Sequence, residues 1–244
     1  MVDLKPHIII QARLGSTRLP EKVMRKINGQ PMIGLQIERL KKTNFPIILA
    51  TSVASENDGL AEYAESLDVK VFRGSEENVL DRYYQAAKTF GAKHIIRITG
   101  DNPLVDPFFI TKQLKSLKID EQRYYLFDGS NKKLPIGMAF EMFPFSLLEE
   151  ACNKANSIYE KEHVTPYMHQ NYPGNIVKYN FSNLTDNYKF RLTVDTESDF
   201  KLMQELIVNF KSQNKSLEEI IKILDENPEL TKINQSVYQK KWDE

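Results

Sequence analysis

Arg13, Arg18 and Lys22 all fall within the run Gln11-Ala12-Arg13-Leu14-Gly15-Ser16-Thr17-Arg18-Leu19-Pro20-Glu21-Lys22, directly after the apolar stretch His7 to Ile10. Three cations on a turn of small residues can hold a polyphosphate. Gly15 permits close backbone approach, Ser16 and Thr17 offer hydroxyl donors, and Pro20 stiffens the exit. A turn at a strand end directs several backbone N–H groups to one point, so it attracts an anion before any side chain contributes. The spacing is neither that of a Walker loop, G-x-x-x-x-G-K-[ST], nor that of the dinucleotide fingerprint G-x-G-x-x-G. On these residues alone, a solvated basic turn between a strand and a helix is the competing reading.

Two acids complete the chemistry. Asp101 follows Ile95-Ile96-Arg97-Ile98-Thr99-Gly100, and Asp195 follows Phe190-Arg191-Leu192-Thr193-Val194. Both runs read as strands, and open α/β sheets bind ligands at the C-terminal ends of their strands. A magnesium-bound nucleoside triphosphate needs hard oxygens for the metal and cations for the phosphates, which is the combination present here. The structural alternative makes Asp101 a turn former before Asn102-Pro103 and Asp195 a residue ahead of a helix cap. Asp106, before Pro107, and Asp199, three residues after Thr196, read as helix-capping residues.

The elements that must position these groups follow from periodicity. Short apolar runs predict strands near 7–12, 46–51, 69–72 and 93–98. Between them lie helix-period segments at 31–42, 55–67 and 79–90, a βαβ pattern that gives an α/β fold with a mainly parallel sheet. Val79, Tyr83, Ala86 and Phe90 step along one helix face. A helix from Pro107 to about Leu117 leads to a strand at 124–127. A polar turn or flap at 128–133 follows, then helical pieces at 145–155 and 157–171, with strands at 175–181 and 189–194. Helices start at Thr196 and Leu217, and the last fifteen or so residues are polar and read as loosely packed. One domain over 1–244, with an inserted acceptor or dimerisation lobe around 128–185, is the simplest organisation.

Bulk properties exclude several classes. The chain has 244 residues, 41% of them hydrophobic, enough for a substantial core. Thirty-three basic residues balance thirty-three acidic ones, so no global field favours nucleic acid or an anionic membrane, and any anion site must be local. One cysteine, Cys152, allows no intrachain disulfide and too few thiols for a structural zinc site. The N-terminus has no signal-peptide pattern and no run approaches a membrane span, so the expectation is a cytoplasmic protein.

The run Gln11-Ala12-Arg13-x-Gly15-Ser16-x-Arg18-Leu19-Pro20-x-Lys22 resembles the N-terminal signature of bacterial cytidylyltransferases that activate sugars as CMP derivatives. The resemblance is strongest to the spore coat polysaccharide biosynthesis protein F family, and extends to the acylneuraminate and KDO cytidylyltransferases. It continues through Arg97 to Pro107, Glu162-His163-Val164-Thr165-Pro166-Tyr167 and Arg191 to Phe200, four motifs in order over about 200 residues. It implies a Rossmann-like nucleotidyltransferase fold of glycosyltransferase-A type, with three layers and a small inserted lobe. It also implies transfer of CMP from CTP to a sugar, in particular an acidic 2-keto sugar of the nonulosonate or KDO type, with release of pyrophosphate.

By that resemblance Asp101 and Asp195 match metal-binding acids, and the implied cofactor is Mg2+. Arg13, Lys22 and Asp101 take catalytic roles. Gln11, Ala12, Arg13, Gly15, Ser16, Arg18 and Lys22 contact the nucleotide, joined by Ala50 and Thr51 after the second strand and Arg73 and Gly74 after the third. The stretch 135–143 resembles the acceptor-facing segment, which points to Gly137, Glu141 and, from a separate motif, His163 as acceptor contacts. Relatives commonly carry an acid two places after the glycine, where this chain has Ala139. Glu141 reads equally as a surface strand position, and a lone histidine such as His163 among helix residues is more often structural. The implied partners are CTP and a small sugar acceptor, with a homodimer as a possible assembly. The open alternatives are transfer from another NTP or to a sugar phosphate or small alcohol, a nucleotide-sugar glycosyltransferase, and a nucleotide-binding regulatory protein without turnover.

Overall fold

The computed structural model describes residues 5–116, 125–126, 133–179 and 186–239. In chain order the elements are β1 (His7–Gln11), β2 (Lys26–Ile27), β3 (Gln30–Pro31), α1 (Met32–Leu40), β4 (Ile47–Ser52), α2 (Asp58–Ser66), β5 (Lys70–Gly74), α3 (Val79–Thr89), β6 (His94–Thr99) and α4 (Pro107–Ser116). They continue with β7 (Tyr125–Leu126), β8 (Glu141–Pro144), α5 (Phe145–Lys154), α6 (Ile158–His163), α7 (Pro166–Asn171), β9 (Ile176–Val177), α8 (Glu197–Val208), α9 (Leu217–Glu226) and α10 (Pro228–Lys232).

Successive side chains of a strand point to opposite faces, and in β1 both faces are covered. Ile8 and Ile10 enter one apolar core with α1, α4 and α8, whereas Ile9 enters a second with α3, α5 and α7. This is a three-layer α/β arrangement, helices on both sides of a seven-stranded sheet ordered β5-β4-β1-β6-β8-β7-β9. Strands β5, β4, β1 and β6 run parallel, and β8 alone opposes its neighbours β6 and β7. The register pairs Gln11 with Thr99 and with Ala50, so the C-terminal ends of β1, β6 and β4 lie side by side.

The four long parallel strands and their helices lie within one to three residues of the positions that periodicity gives them. Four differences have physical causes. The expected strand at 189–194 is an extended run with a single bridge, Arg191 to Ile136. It is hung by Ile136 N–H on Phe190 O, Leu192 N–H on Ile136 O and Val194 N–H on Asp101 O, at 2.7–2.9 Å. The helix expected over 157–171 is two, because Val164 takes φ 71° and Pro166 begins α7. Of the strand expected at 175–181, β9 holds Ile176–Val177, and residues 180–181 lie outside the described residues. The described part of the tail, to residue 239, is packed, not loose: α10 buries Leu230, and Asn234 is buried beyond it, while residues 240–244 lie outside the described residues.

The lobe expected around 128–185 lies partly outside the described residues. Within it, β8 is a strand of the main sheet, and Phe143, Leu147, Leu148, Ala151 and Met168 belong to the second core. Of the polar turn expected at 128–133, residues 128–132 are likewise outside the described residues.

Two devices hold the strand-end loops. Arg39, buried in α1, donates to the carbonyls of Leu104, Val105, Ser212, Gln213 and Lys215, which ties the loop after β6 to the turn before α9. Asp106 accepts from Phe108 N at 2.8 Å and Leu217 N at 2.6 Å, so its capping role extends to a second helix. Gly137 has φ +93°, and a Cβ there would lie 2.5 Å from the backbone nitrogen of Thr193. Only glycine lets the 136–138 segment cross so close to the run that ends in Asp195. Gly137→Ala should therefore lower stability by about 1–3 kcal/mol, read as a lower urea midpoint at unchanged m-value.

Candidate functional site

The loop after β1 is pinned on both sides. Gly100 N–H donates to Gln11 O at 2.8 Å, and Leu14 N–H donates to Asn57 Oδ1 at 2.9 Å. Asn57, itself buried, donates to Ser52 Oγ, which links the loop to the end of β4. A Cβ on Gly100 would fall 2.8 Å from the Ala12 side chain, so the closeness of the β1 and β6 ends depends on glycine. Beneath them, the buried Gln36 side chain donates to Thr99 O and Asn102 O and fixes the turn that carries Asp101.

Lys22 begins a single 3-10 turn and projects inward between the two acids. Its Nζ lies 3.1 Å from Asp101 Oδ2 and 2.8 Å from Asp195 Oδ1, with the lysine side chain only 13% exposed. Thr99 Oγ1 donates to Asp101 Oδ1 at 2.6 Å, and Arg18 lies 3.1 Å from Asp195 Oδ1. Burial works to lower the Lys22 pKa, but Asp101 and Asp195 outweigh it and hold the ammonium above the ordinary lysine value. For Asp195, burial works to raise the pKa, while Lys22, Arg18 and Arg191 hold it below the ordinary aspartate value. Lys22 and Asp195 are thus both charged at neutral pH. Such a buried pairing adds little net stability, because desolvation offsets the attraction.

These groups line a cleft of about 1730 Å³. A single small-molecule site is commonly about 300–1,000 Å³, so this one has room for two ligands side by side. Gln11, Ala12, Arg13, Gly15, Ser16, Arg18, Lys22, Asp101 and Asp195 line it together with His163 of α6. Arg13 sits at the mouth, paired with Glu76 at 3.2 Å.

Six expected contacts are not among the residues that line this cleft. Ala50 and Thr51 are buried in β4, with Ala50 in the second core. Arg73 turns away from the cleft, donating to Ser52 O and Ala54 O and pairing with Asp58 at 2.6 Å, so it braces the loop after β4. Gly74 packs on the Arg82 side chain, and Gly137 serves the close crossing described above. Glu141 is outside the lining as well, and it is not at the surface, the other position open to it. It is 6% exposed, pairs across the strands with Arg97 at 2.5 Å and accepts from Thr165 Oγ1 at 2.9 Å. Arg97 in turn donates to Gln11 Oε1 at 3.1 Å. Ala139 is exposed and likewise outside the cleft lining.

Sequence reasoning missed other lining residues. Glu76, Glu77, Asn78 and Arg82 form the wall between β5 and α3, Lys161 and Glu162 flank His163, and Val237 and Tyr238 come from the tail. Arg82 is 2% exposed; its Nη1 donates to Ser75 O, and its Nε has no hydrogen-bond partner among the described residues. Its signal was a cation one turn into a helix that starts beside a strand end. Val237 and Tyr238 had no local signal. Among the described residues no group of three or more His, Cys, Asp or Glu could cage a metal. Two carboxylates with room for phosphates still fit magnesium, which keeps most of its ligands from water and substrate. None of the described helices is long and apolar enough to cross a membrane.

Residues 7–242 match the cytidylyltransferase family. The chain is 41% identical over 241 residues to an uncharacterized protein, MJ1063, of Methanocaldococcus jannaschii, with 97% of each chain covered. It is 31% identical over 232 residues to SpsF, a spore coat polysaccharide biosynthesis protein of Bacillus subtilis, covering 91% of this chain and 94% of that one. A solved cytidylyltransferase from Leptospira borgpetersenii serovar Hardjo-bovis matches it with a TM-score of 0.88 at 33% identity, covering 97% of this chain and 100% of the other. With a strand-end cleft of cations and paired acids, the fold of a solved cytidylyltransferase and a family match over nearly its whole length, this chain belongs to the cytidylyltransferase family.

Proposed function

We propose that the chain transfers CMP from CTP to a hydroxyl of a small sugar, an acidic 2-keto sugar of the nonulosonate or KDO type, releasing pyrophosphate. The product would serve surface polysaccharide or glycoconjugate synthesis in the cytoplasm. The observation that carries this reading is the contact of Lys22 with both Asp101 and Asp195 at the strand ends. It gathers in one place the cation a triphosphate requires and the hard oxygens its metal requires. The family match supports CTP as the nucleotide, and the SpsF name supports a sugar destined for polysaccharide.

In this reading the acceptor oxygen forms a bond to the α-phosphorus, and the bond from the α-phosphorus to the bridging oxygen breaks. The electron pair leaves with pyrophosphate, and the hydroxyl proton passes to water. Lys22, Arg13 and Arg18 neutralise the triphosphate and the charge that develops on the leaving group. Gly15 and Ser16 bring the loop backbone to the phosphates, while Gln11 and Ala12 form the floor. Asp101 and Asp195 would hold Mg2+, which when bound supplies charge neutralisation and lowers the acceptor hydroxyl pKa. The remaining work is positioning, which needs no dedicated general base.

Lys161 and His163 line the α6 wall and supply cationic or hydrogen-bonding groups for an acceptor carboxylate. Glu141 acts here through Arg97 and Gln11, and Arg73 through the loop after β4; neither touches a substrate in this reading.

Lys22→Ala should reduce turnover of CTP about 10²–10³-fold, the usual effect of removing one preorganised electrostatic group. Its thermal midpoint should also fall, because Asp101 and Asp195 lose their shared cation, so turnover is compared below the unfolding transition of both proteins, where equal turnover would exclude the assignment. Pyrophosphate release measured with CTP, UTP, ATP and GTP against acidic 2-keto sugars and neutral sugar phosphates should appear for CTP with the acidic sugars. Release with another NTP, or with sugar phosphates alone, would refute that choice of substrates.

A further inference from the structure

Asp195 presents only one oxygen to the cleft. Its Oδ1 faces Lys22 at 2.8 Å and Arg18 at 3.1 Å, while its Oδ2 is held by Arg191 Nη2 at 2.8 Å. Arg191 is itself immobilised. Its Nε donates to Asp199 Oδ1 at 2.8 Å, its Nη2 also reaches Asp199 Oδ2 at 3.3 Å, and its Nη1 donates to Gln239 Oε1. A planar guanidinium held at three corners cannot rotate, so the carboxylate it grips cannot rotate either.

Asp199 is more than a helix cap. It is 1% exposed, and its Oδ2 accepts from the backbone N–H of Asp195 and Thr196 and from Thr196 Oγ1, each at 3.0 Å. One carboxylate therefore fixes both the backbone of Asp195 and, through Arg191, its side chain. The tail closes the arrangement: Asn234 Nδ2 donates to Arg191 O at 3.0 Å and to Asp199 Oδ1 at 2.9 Å. Between Asn234 and Gln239, the residues Val237 and Tyr238 line the cleft.

We infer that Arg191 and Asp199, clamped by Asn234 and Gln239 of the C-terminal segment, are positioning residues that make Asp195 a one-oxygen ligand for the metal of the nucleotide. The inference rests on the reading of Asp195 as a metal-binding acid. Partners one layer behind a metal ligand commonly set its orientation, and their removal costs about 10–100-fold in metal affinity or activity. A residue that serves only folding would change stability without separating metal binding from nucleotide binding.

The test compares the parent with Arg191→Lys, Gln239→Ala and Asp195→Asn. The affinity of each protein for CTP is measured in EDTA by equilibrium dialysis, and its affinity for Mn2+·CTP by the electron paramagnetic resonance of bound manganese. The ratio of the two affinities reports what the metal gains from the protein. In Arg191→Lys that ratio should fall about 10–100-fold, with metal-free CTP affinity unchanged. Gln239→Ala, a milder change at the outer end of the clamp, should lower the ratio in the same direction and by less. If Asp195→Asn lowers the ratio but both clamp variants keep the parent value, the clamp is overturned while the metal reading stands. If Asp195→Asn itself keeps the parent value, the metal reading fails and the clamp with it. A parallel fall of both affinities in both clamp variants would assign Arg191 and Gln239 to folding alone and also overturn the inference.

Discussion

Two carboxylates and one ammonium meet in a cleft where none of them is well solvated, and the rest of the molecule is arranged to bring them there. Lys22 is separated in sequence by 79 residues from Asp101 and by 173 from Asp195. No local preference can join such points. The parallel register of β1 and β6 brings Gln11 beside Thr99, the Gly100 contact draws the two strand ends together, and Asp101 O receives the Val194 N–H. The acid at 195 is thus suspended from the acid at 101 through the backbone, and Lys22 reaches both. Without the ammonium, Asp101 and Asp195 would share a poorly solvated site with only Arg18 and Arg191, both on Asp195, to offset their charge, a costly state.

Much of this was legible in the sequence because periodicity reports burial. A strand with both faces covered must be apolar throughout, as Ile8, Ile9 and Ile10 are, and a helix with one buried face must repeat at 3.6 residues, as α3 does. The two acids were legible for a related reason: each follows an apolar run, and strand ends are where a parallel sheet binds ligands. The resemblance to the cytidylyltransferases supplied the rest of the family assignment.

What escaped the sequence depends on contacts between distant segments. Glu141 looks exposed when its own run is read alone, yet Arg97 on the adjacent antiparallel strand makes its burial tolerable. Arg73 and Arg82 are both cations near one strand end; carbonyls of the β4 loop and Asp58 draw the first away, while the second remains on the cleft wall. The run 189–194 has strand composition but makes a single bridge, since its remaining hydrogen bonds go to segments that no periodicity can anticipate. The polar tail reads as loosely packed because its anchors, Asn234 and Gln239, pair with a guanidinium and a carboxylate far from it in sequence.

The balanced net charge of the chain makes the local distribution more informative than the total. Arg13 and Arg18 are about half exposed at the mouth of the cleft, and Lys22 lies inside with its charge already matched by two acids. The outer cations act over a Debye length of about 8 Å at physiological salt, so they favour the approach of an anion without holding it. A bare triphosphate arriving at Lys22 would also meet Asp101 and Asp195, and the repulsion would offset much of the gain. A triphosphate that carries its own divalent cation avoids this conflict, because the acids then have a new cation and Lys22 a new anion. On the proposed function, nucleotide entry is therefore an exchange between a nearly neutral protein cluster and a triphosphate whose charge its own cation has roughly halved. That exchange works only if the carboxylates do not follow Lys22 when it turns to the phosphates. Asp101 is retained by Thr99 Oγ1 and Asp195 by Arg191, each through the oxygen that Lys22 does not use.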